Sequence, residues 1–309
     1  MDLSTEYLGL RLPHPFMPGA SPLTEDLDMV CRLEDAGAAA IVMHSLFEED
    51  VVGFAADPDA YLEQLARIKR RVRAPVIASM NGTHSEGWLH YARLIEQAGA
   101  DAVELNFYHV ATDPFEDAAS VERRIVDIVA VLKESVALPL AVKLSPFYSA
   151  LPHLAAQLDR IGAGALVLFN RFYQPDFDPA SRETSTRIHL SDSSELLLRL
   201  RWTAILANQI GAPIALSGGV HQAIDAVKAV MAGAAVVQIV SKLLRAGPTA
   251  LAVIRHEFER WCDANGYERI DRLRGRMSLF GYQERDGERE HYERVVQSWH
   301  SATSPSAGR

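Results

Sequence analysis

The 309-residue sequence predicts a (β/α)8 TIM barrel with a short N-terminal hairpin before it and a C-terminal helical tail after it. Three observations carry that expectation. Four helix-to-strand junctions share one form, a glycine that stops a helix followed at once by an apolar strand: Asp35–Met43, Gln97–Leu105, Arg160–Leu168 and Met231–Ile239. Three other junctions open their strand with a proline, at Arg73–Ser79, Ala137–Lys143 and Gly211–Ser217. Adding the strand in His14–Ser21 makes eight, and the stretches between them carry apolar residues three and four apart, as amphipathic helices do. Eight alternating units in roughly 250 residues have the size and rhythm of a closed parallel barrel.

Taken in order, residues 3–12 alternate around Gly9 and read as the hairpin. Helices are expected over Leu23–Ala36, Asp59–Arg71, Ser85–Ala98, Ala118–Val136, Leu151–Ile161, Ser194–Ile210, His221–Ala232 and Gly247–Ala264. A doubly wound sheet is the competing fold, but no Gly-x-Gly-x-x-Gly follows the first strand. The barrel domain is expected to span 1–265. In 266–309, Tyr267–Leu279 reads as one more amphipathic, Arg-rich helix and Gln283–Arg309 as a polar tail. The long Gln174–Ser193 stretch, with Asp176, Asp178, Arg182, Glu183, Arg187 and His189, has the length and polarity of a lid over a barrel mouth.

Composition narrows the function. The 31 basic and 40 acidic residues give a net charge of −9 with no long basic run, which argues against a nucleic-acid surface or a polybasic membrane patch. Cys31 and Cys262 are the only cysteines, too few for a disulfide framework or a Cys-ligated iron–sulfur cluster. No apolar run reaches the ~18 residues of a membrane span, and the N-terminus lacks signal-peptide features. A cytoplasmic protein acting on a small molecule is expected. Asp176 and Asp178 have no matching His/carboxylate cluster, so no metal is assigned.

Barrel chemistry sits where strands end. Those positions are Ala20-Ser21, His44-Ser45, Ser79-Met80-Asn81, Asn106-Phe107-Tyr108-His109, Lys143, Asn170-Arg171, Ser217-Gly218-Gly219 and Val240-Ser241. The set is polar where packing alone wants apolar side chains. A lysine buried at a strand end costs several kcal/mol unless it meets an anion or acceptor. Gly218-Gly219 and Val240-Ser241 close two consecutive strands and together suit a phosphate. Asn106, Asn170 and Lys143 offer donors and acceptors to a flat heterocycle.

These residues and their order resemble the FMN-dependent dihydroorotate dehydrogenase family over nearly all of 7–260. The resemblance lies in His14–Ser21, Glu104-Leu105-Asn106, Val142–Pro146, and Gly218–Val220 followed by Gly233–Ile239. It implies FMN with its phosphate on Ser217, Gly218, Gly219, Val240 and Ser241. It also implies Lys143 against the pyrimidine edge of the flavin, where a cation stabilises the charge that reduction develops. Ala20 and Ser21 would flank the ring, with Ser45 and Asn106 hydrogen-bonding around it.

The substrate half departs from the family. The usual Cys or Ser base is absent and His109 stands at its position, with Tyr108 as a neighbouring alternative. His44, Asn106, Asn170 and Arg171 are the expected substrate contacts, and Arg171 suits a carboxylate or a solvated loop equally. The implied reaction is hydride transfer between flavin N5 and a small planar or carboxylated substrate. Two other readings stand beside it: Lys143 as the Schiff-base nucleophile of an aldolase or lyase, and a flavin-binding electron-transfer subunit without its own substrate. A homodimer or a soluble redox partner is the assembly to expect.

Overall fold

The computed structural model describes residues 1–47, 58–82, 86–172, 175–185, 189–279, 292–293 and 295–297. Met1–Ser278 form one compact unit and Leu279–Arg309 a second, in which 292–293 and 295–297 are helical. Ser85, Arg187 and most of the polar tail lie outside the described residues.

The chain opens with a hairpin, β1 (Thr5–Tyr7) antiparallel to β2 (Leu10–Leu12). The barrel strands follow: β3 (Phe16–Pro18), β4 (Ile41–Phe47), β5 (Val76–Asn81), β6 (Ala102–Asn106), β7 (Leu140–Leu144) and β8 (Ala165–Leu168). A small antiparallel hairpin, β9 (Asp176–Asp178) with β10 (Glu183–Ser185), then precedes β11 (Ile214–Ser217) and β12 (Val236–Ile239). The eight long-sheet strands are parallel, in the order β3-β12-β11-β8-β7-β6-β5-β4. Ala39 N–H donates to Phe16 O at 2.9 Å, bringing the start of β4 beside β3 and all but closing the ring. The expected barrel is the observed one.

The helices between strands are α1 (Leu27–Asp35), α2 (Pro58–Arg71), α3 (Glu86–Gln97), α4 (Ala118–Ser135), α5 (Leu151–Arg160), α6 (Leu196–Leu206) and α7 (Ala223–Ala232). After β12 come α8 (Ser241–Ala246), α9 (Thr249–Ala264) and α10 (Ile270–Leu273). The short helix α8 follows Val240 directly. One element differs from the sequence expectation. The Tyr267–Leu279 segment is helical for a single turn, because the chain turns extended at Arg274 and left-handed at Gly275. No described helix is long and apolar enough to cross a membrane.

Strand side chains alternate between faces, so each barrel strand sends one set inward and the other against the helices. Val103, Leu105, Val142, Leu144, Leu166, Leu216 and Val237 join the large core shared with the helices. The inward set starts small: Ala102, Ala141, Ala165 and Ala215 leave room for Tyr7, Leu8 and Leu12 of the hairpin, which plug the N-terminal end. Two residues further along β6, β7 and β11 the inward set turns polar, with Glu104, Lys143 and Ser217, as it does at Gln238 two residues after Val236 on β12. A barrel floored by charge is the first structural sign of a site.

One buried histidine gives the fold a pH dependence. His14 is 5% exposed, its Nδ1 accepts from Phe16 N–H at 3.2 Å, and burial, with Arg255 nearby, lowers its pKa to about 4. An unfolded histidine titrates near ~6.5, so between those values the unfolded chain binds more protons. Stability from neutral His14 is complete above that range and lost as pH falls through it, at about 1.4 kcal/mol per unit. Urea unfolding at pH 5 is expected to give about 2 kcal/mol less stability than at pH 7, with His14→Asn flattening the slope. An unchanged slope in the variant would assign the loss to other groups.

Candidate active site

A cavity of 490 Å³ opens at the C-terminal ends of the strands, within the range of small-molecule sites. Its wall includes every strand-end residue singled out from the sequence except Ser79, Met80, Phe107 and His109: Ala20 and Ser21 after β3, His44 and Ser45 from β4, Asn81 from β5, Asn106 at the end of β6 with Tyr108 beyond it, and Lys143 from β7. Asn170, Arg171, Ser217, Gly218, Gly219, Val240 and Ser241 complete that set.

The floor is an ion pair. Lys143 Nζ lies 3.0 Å from Glu104 Oε1, with the lysine side chain 8% and the glutamate 0% exposed. Gln238 Nε2 donates to the other carboxylate oxygen at 2.5 Å. Asn170 Nδ2 donates to Phe107 O at 2.9 Å and Lys143 O at 3.4 Å, tying the ends of β6, β7 and β8 together. Ser45 Oγ and Ser79 Oγ lie 2.8 Å apart. His44 is fixed by its backbone N–H to Thr24 Oγ1 at 2.6 Å and by an edge contact with Tyr61 at 5.1 Å.

Beyond β11 the backbone turns left-handed at Gly218 (φ 96°) and Gly219 (φ 79°). Arg199 of α6 lies directly against this turn. Its Nε donates to Ser217 O and its Nη1 to Glu195 O, both at 2.6 Å, and burial pulls its pKa down. Ser191 sits over the turn: Gly219 N–H donates to its Oγ at 3.4 Å, and that Oγ lies 3.0 Å from Ser241 Oγ and 3.3 Å from His221 Nε2. Arg245 holds the Ser191 and Leu190 carbonyls at 3.0 and 2.9 Å. Burial, then Arg245, lowers the pKa of His221.

The mouth is aromatic. Tyr108 stacks on Phe172 at 4.6 Å and 15°, and Phe147 meets Phe172 edge-on at 5.2 Å. Arg171 Nη1 donates to both oxygens of Glu195, at 2.9 and 2.8 Å. His109 turns the other way. Its Nε2 is 3.0 Å from Glu116 Oε2, Arg124 holds the other oxygen, and the His109 hydrogen bond first, with Arg124, keeps the Glu116 carboxyl below its usual range.

Glu104, Gln238, Arg199 and Ser191 were not assigned from the sequence. Glu104 and Gln238 were legible in principle, since each is a polar residue on the inward parity of an otherwise apolar strand. Arg199 and Ser191 lay in segments whose return to the cavity depends on tertiary packing. Among the described residues, no group of three or more His, Cys, Asp or Glu is placed to hold a metal ion.

No protein-family model matches the chain. It is similar to the catalytic subunit of dihydroorotate dehydrogenase B (NAD(+)) from Thermoplasma acidophilum, with 28% identity over 298 residues, 89% of this chain and 98% of that protein. The putative dihydroorotate dehydrogenase A (fumarate) of Aeropyrum pernix is 27% identical over 304 residues, covering 89% and 97%. Subunit PreA of the NAD-dependent dihydropyrimidine dehydrogenase of Escherichia coli (strain K12) is 26% identical over 201 residues, 55% of this chain and 48% of the subunit. The chain thus resembles dihydroorotate dehydrogenases along most of its length, at 24–28% identity.

Proposed function

We propose that this barrel, a dihydroorotate dehydrogenase-like oxidoreductase, binds FMN and moves a hydride between it and a CH–CH bond of a small planar substrate. The observation that carries the proposal is a set of buried polar atoms on the cavity wall. Ser21 Oγ, Asn106 Oδ1 and Gln238 Oε1 have no hydrogen-bond partner among the described residues, and all three residues line the cavity beside Lys143. Buried polar atoms are costly when unpaired; the two amide oxygens call for donors and the serine hydroxyl takes either role, so this wall fits a ligand that carries N–H and O–H groups, as the flavin N3–H and the ribityl hydroxyls of FMN would supply.

When bound, FMN supplies the hydride acceptor and donor at N5. The chain's own residues do the rest. The Gly218-Gly219 turn with Val240 and Ser241 would take the phosphate. Lys143 would sit at the pyrimidine edge and offset charge there, while Ala20 and Ser21 line the ring's flank.

The proton that accompanies hydride transfer is assigned to Tyr108. Tyr108 lines the cavity, whereas His109 is held by Glu116 outside its wall. A tyrosine hydroxyl can give the proton when hydride and proton add across a C=C bond, and the same oxygen takes it back when a CH–CH bond is oxidised. The aromatic mouth accepts a flat ring, and the Glu195 carboxylate already paired with Arg171 favours a neutral ring over a carboxylated one.

Tyr108→Phe is expected to keep flavin and slow its exchange with substrate by about 100-fold, the lower end of general-acid effects. His109→Gln should change it less than about threefold. Stopped-flow rates with the bound flavin intact decide; the reverse ranking would return the role to His109.

Lys143 as a Schiff-base nucleophile is disfavoured because its amine is engaged by Glu104. A soluble redox partner remains part of the proposal, since similar proteins are named as subunits. Protein expressed with ample riboflavin should be yellow. A colourless protein that takes up no added FMN contradicts the proposal.

A further inference from the structure

Beneath the cavity floor one carboxylate holds two cavity residues at once. Glu104 is fully buried, and its Oε1 pairs with Lys143 Nζ while its Oε2 accepts from Gln238 Nε2. A charge taken out of water in this way is kept only where its partners satisfy it. Glu104 itself does not line the cavity, while Lys143 and Gln238 both do.

Two consequences follow from that geometry. Because Nε2 of Gln238 is committed to the carboxylate, the amide cannot turn over without placing Oε1 against Glu104, oxygen to oxygen. Oε1 is therefore fixed as an acceptor on the other branch, where it has no partner among the described residues. Secondly, the Lys143 ammonium is balanced by a full negative charge 3.0 Å away, so a ligand above it meets a compensated cation.

We propose that Glu104 is a positioning residue that acts through Lys143 and Gln238, limiting the positive charge the floor presents to a bound flavin and fixing the Gln238 amide with its oxygen as an acceptor. The inference rests on the flavin reading above. Asn106 Oδ1, also without a partner among the described residues, stands with Gln238 Oε1 as a second acceptor. The ammonium could donate to a carbonyl of a flavin's pyrimidine edge, and the acceptor oxygens could take its N3–H and a ribityl hydroxyl. The carboxylate behind the ammonium holds back the gain that reduction, which adds negative charge at that edge, would otherwise draw from the lysine.

The test is the midpoint potential of the FMN-loaded protein, a quantity that a purely structural role would leave in place. Glu104→Gln keeps the shape and removes the charge. At pH 6.5 it is expected to shift the ratio of reduced to oxidised flavin about tenfold toward reduced, a rise of about 30 mV for a two-electron couple. An unchanged or lower potential overturns the proposal. Should that variant fail to fold, Gln238→Leu retains the ion pair and is expected to weaken FMN binding about tenfold; unchanged affinity overturns the Gln238 half. A wild-type protein that binds no FMN overturns the flavin reading and this inference together, whereas a normal flavin with an unmoved potential overturns this inference alone.

Discussion

Gly219→Ala is expected to leave the purified protein without flavin. At φ 79° an L side chain is strained by about 1–2 kcal/mol. Here the added Cβ would also lie 2.7 Å from Leu196 N and 2.8 Å from Leu196 Cα, which are backbone atoms at the start of α6. Side chains can swing aside, but this helix start cannot without moving Arg199, which it carries against Ser217. The turn would open and its N–H would leave the place proposed for the phosphate. FMN affinity should fall at least about 100-fold, close to 2.7 kcal/mol. Gly9→Ala is the control: its φ is 70°, nothing lies within 4 Å of the new Cβ, and it sits on the N-terminal hairpin. It should share the backbone strain and leave FMN affinity alone. Calorimetric titration of both variants with FMN separates the outcomes, and equal affinities would remove Gly219 from the phosphate site.

Lys143→Ala is expected to harm both stability and cofactor binding, and the two effects can be divided. Removing the ammonium leaves Glu104, with no solvent exposure, as a buried carboxylate whose remaining side-chain partner is Gln238. Breaking a buried pair from one side costs about 3–5 kcal/mol, while replacing both partners by neutral groups of similar shape is far less harmful. The double variant Lys143→Met with Glu104→Gln should therefore recover most of the lost stability in urea unfolding. It should not recover FMN affinity, since the cation at the pyrimidine edge is still missing. Recovery of both would make Lys143 a structural residue only.

The barrel was legible because its signals are local. Glycine stops and strand-opening prolines mark each junction, and the apolar runs between them need no knowledge of the partner strand. For the same reason the strand ends could be enumerated, and the cavity wall is built from them. What lay beyond the strand ends was not legible. Alternation fixes Glu104 and Asn106 inward and Leu105 outward, but the rule lapses once the ladder stops. Nothing local then says that Tyr108 faces the cavity while His109 turns to Glu116, an acidic partner seven residues on. The same limit hid Ser191, which reaches the Gly219 turn only because Arg245, Asp225 and Ser241 hold its loop in place. Gln174–Ser193, expected as a lid, contains the β9–β10 hairpin and ends in that loop; Arg171, expected equally as a carboxylate binder or a solvated loop residue, meets Glu195 just before α6. Most of the cavity wall built from strand ends could thus be placed from the sequence, whereas the loop residues around the mouth could not.

The most direct test is an anaerobic titration of FMN-loaded protein, followed by the visible absorption of its flavin, with a neutral dihydropyrimidine and with dihydroorotate as reductants. The expected result is bleaching by the neutral ring at lower concentration than by the carboxylated one, with each equivalent of substrate removing one of oxidised flavin. A flavin that stays oxidised in the presence of both, or that yields only to the carboxylated ring, would contradict a hydride-transferring barrel whose mouth accepts neutral planar substrates.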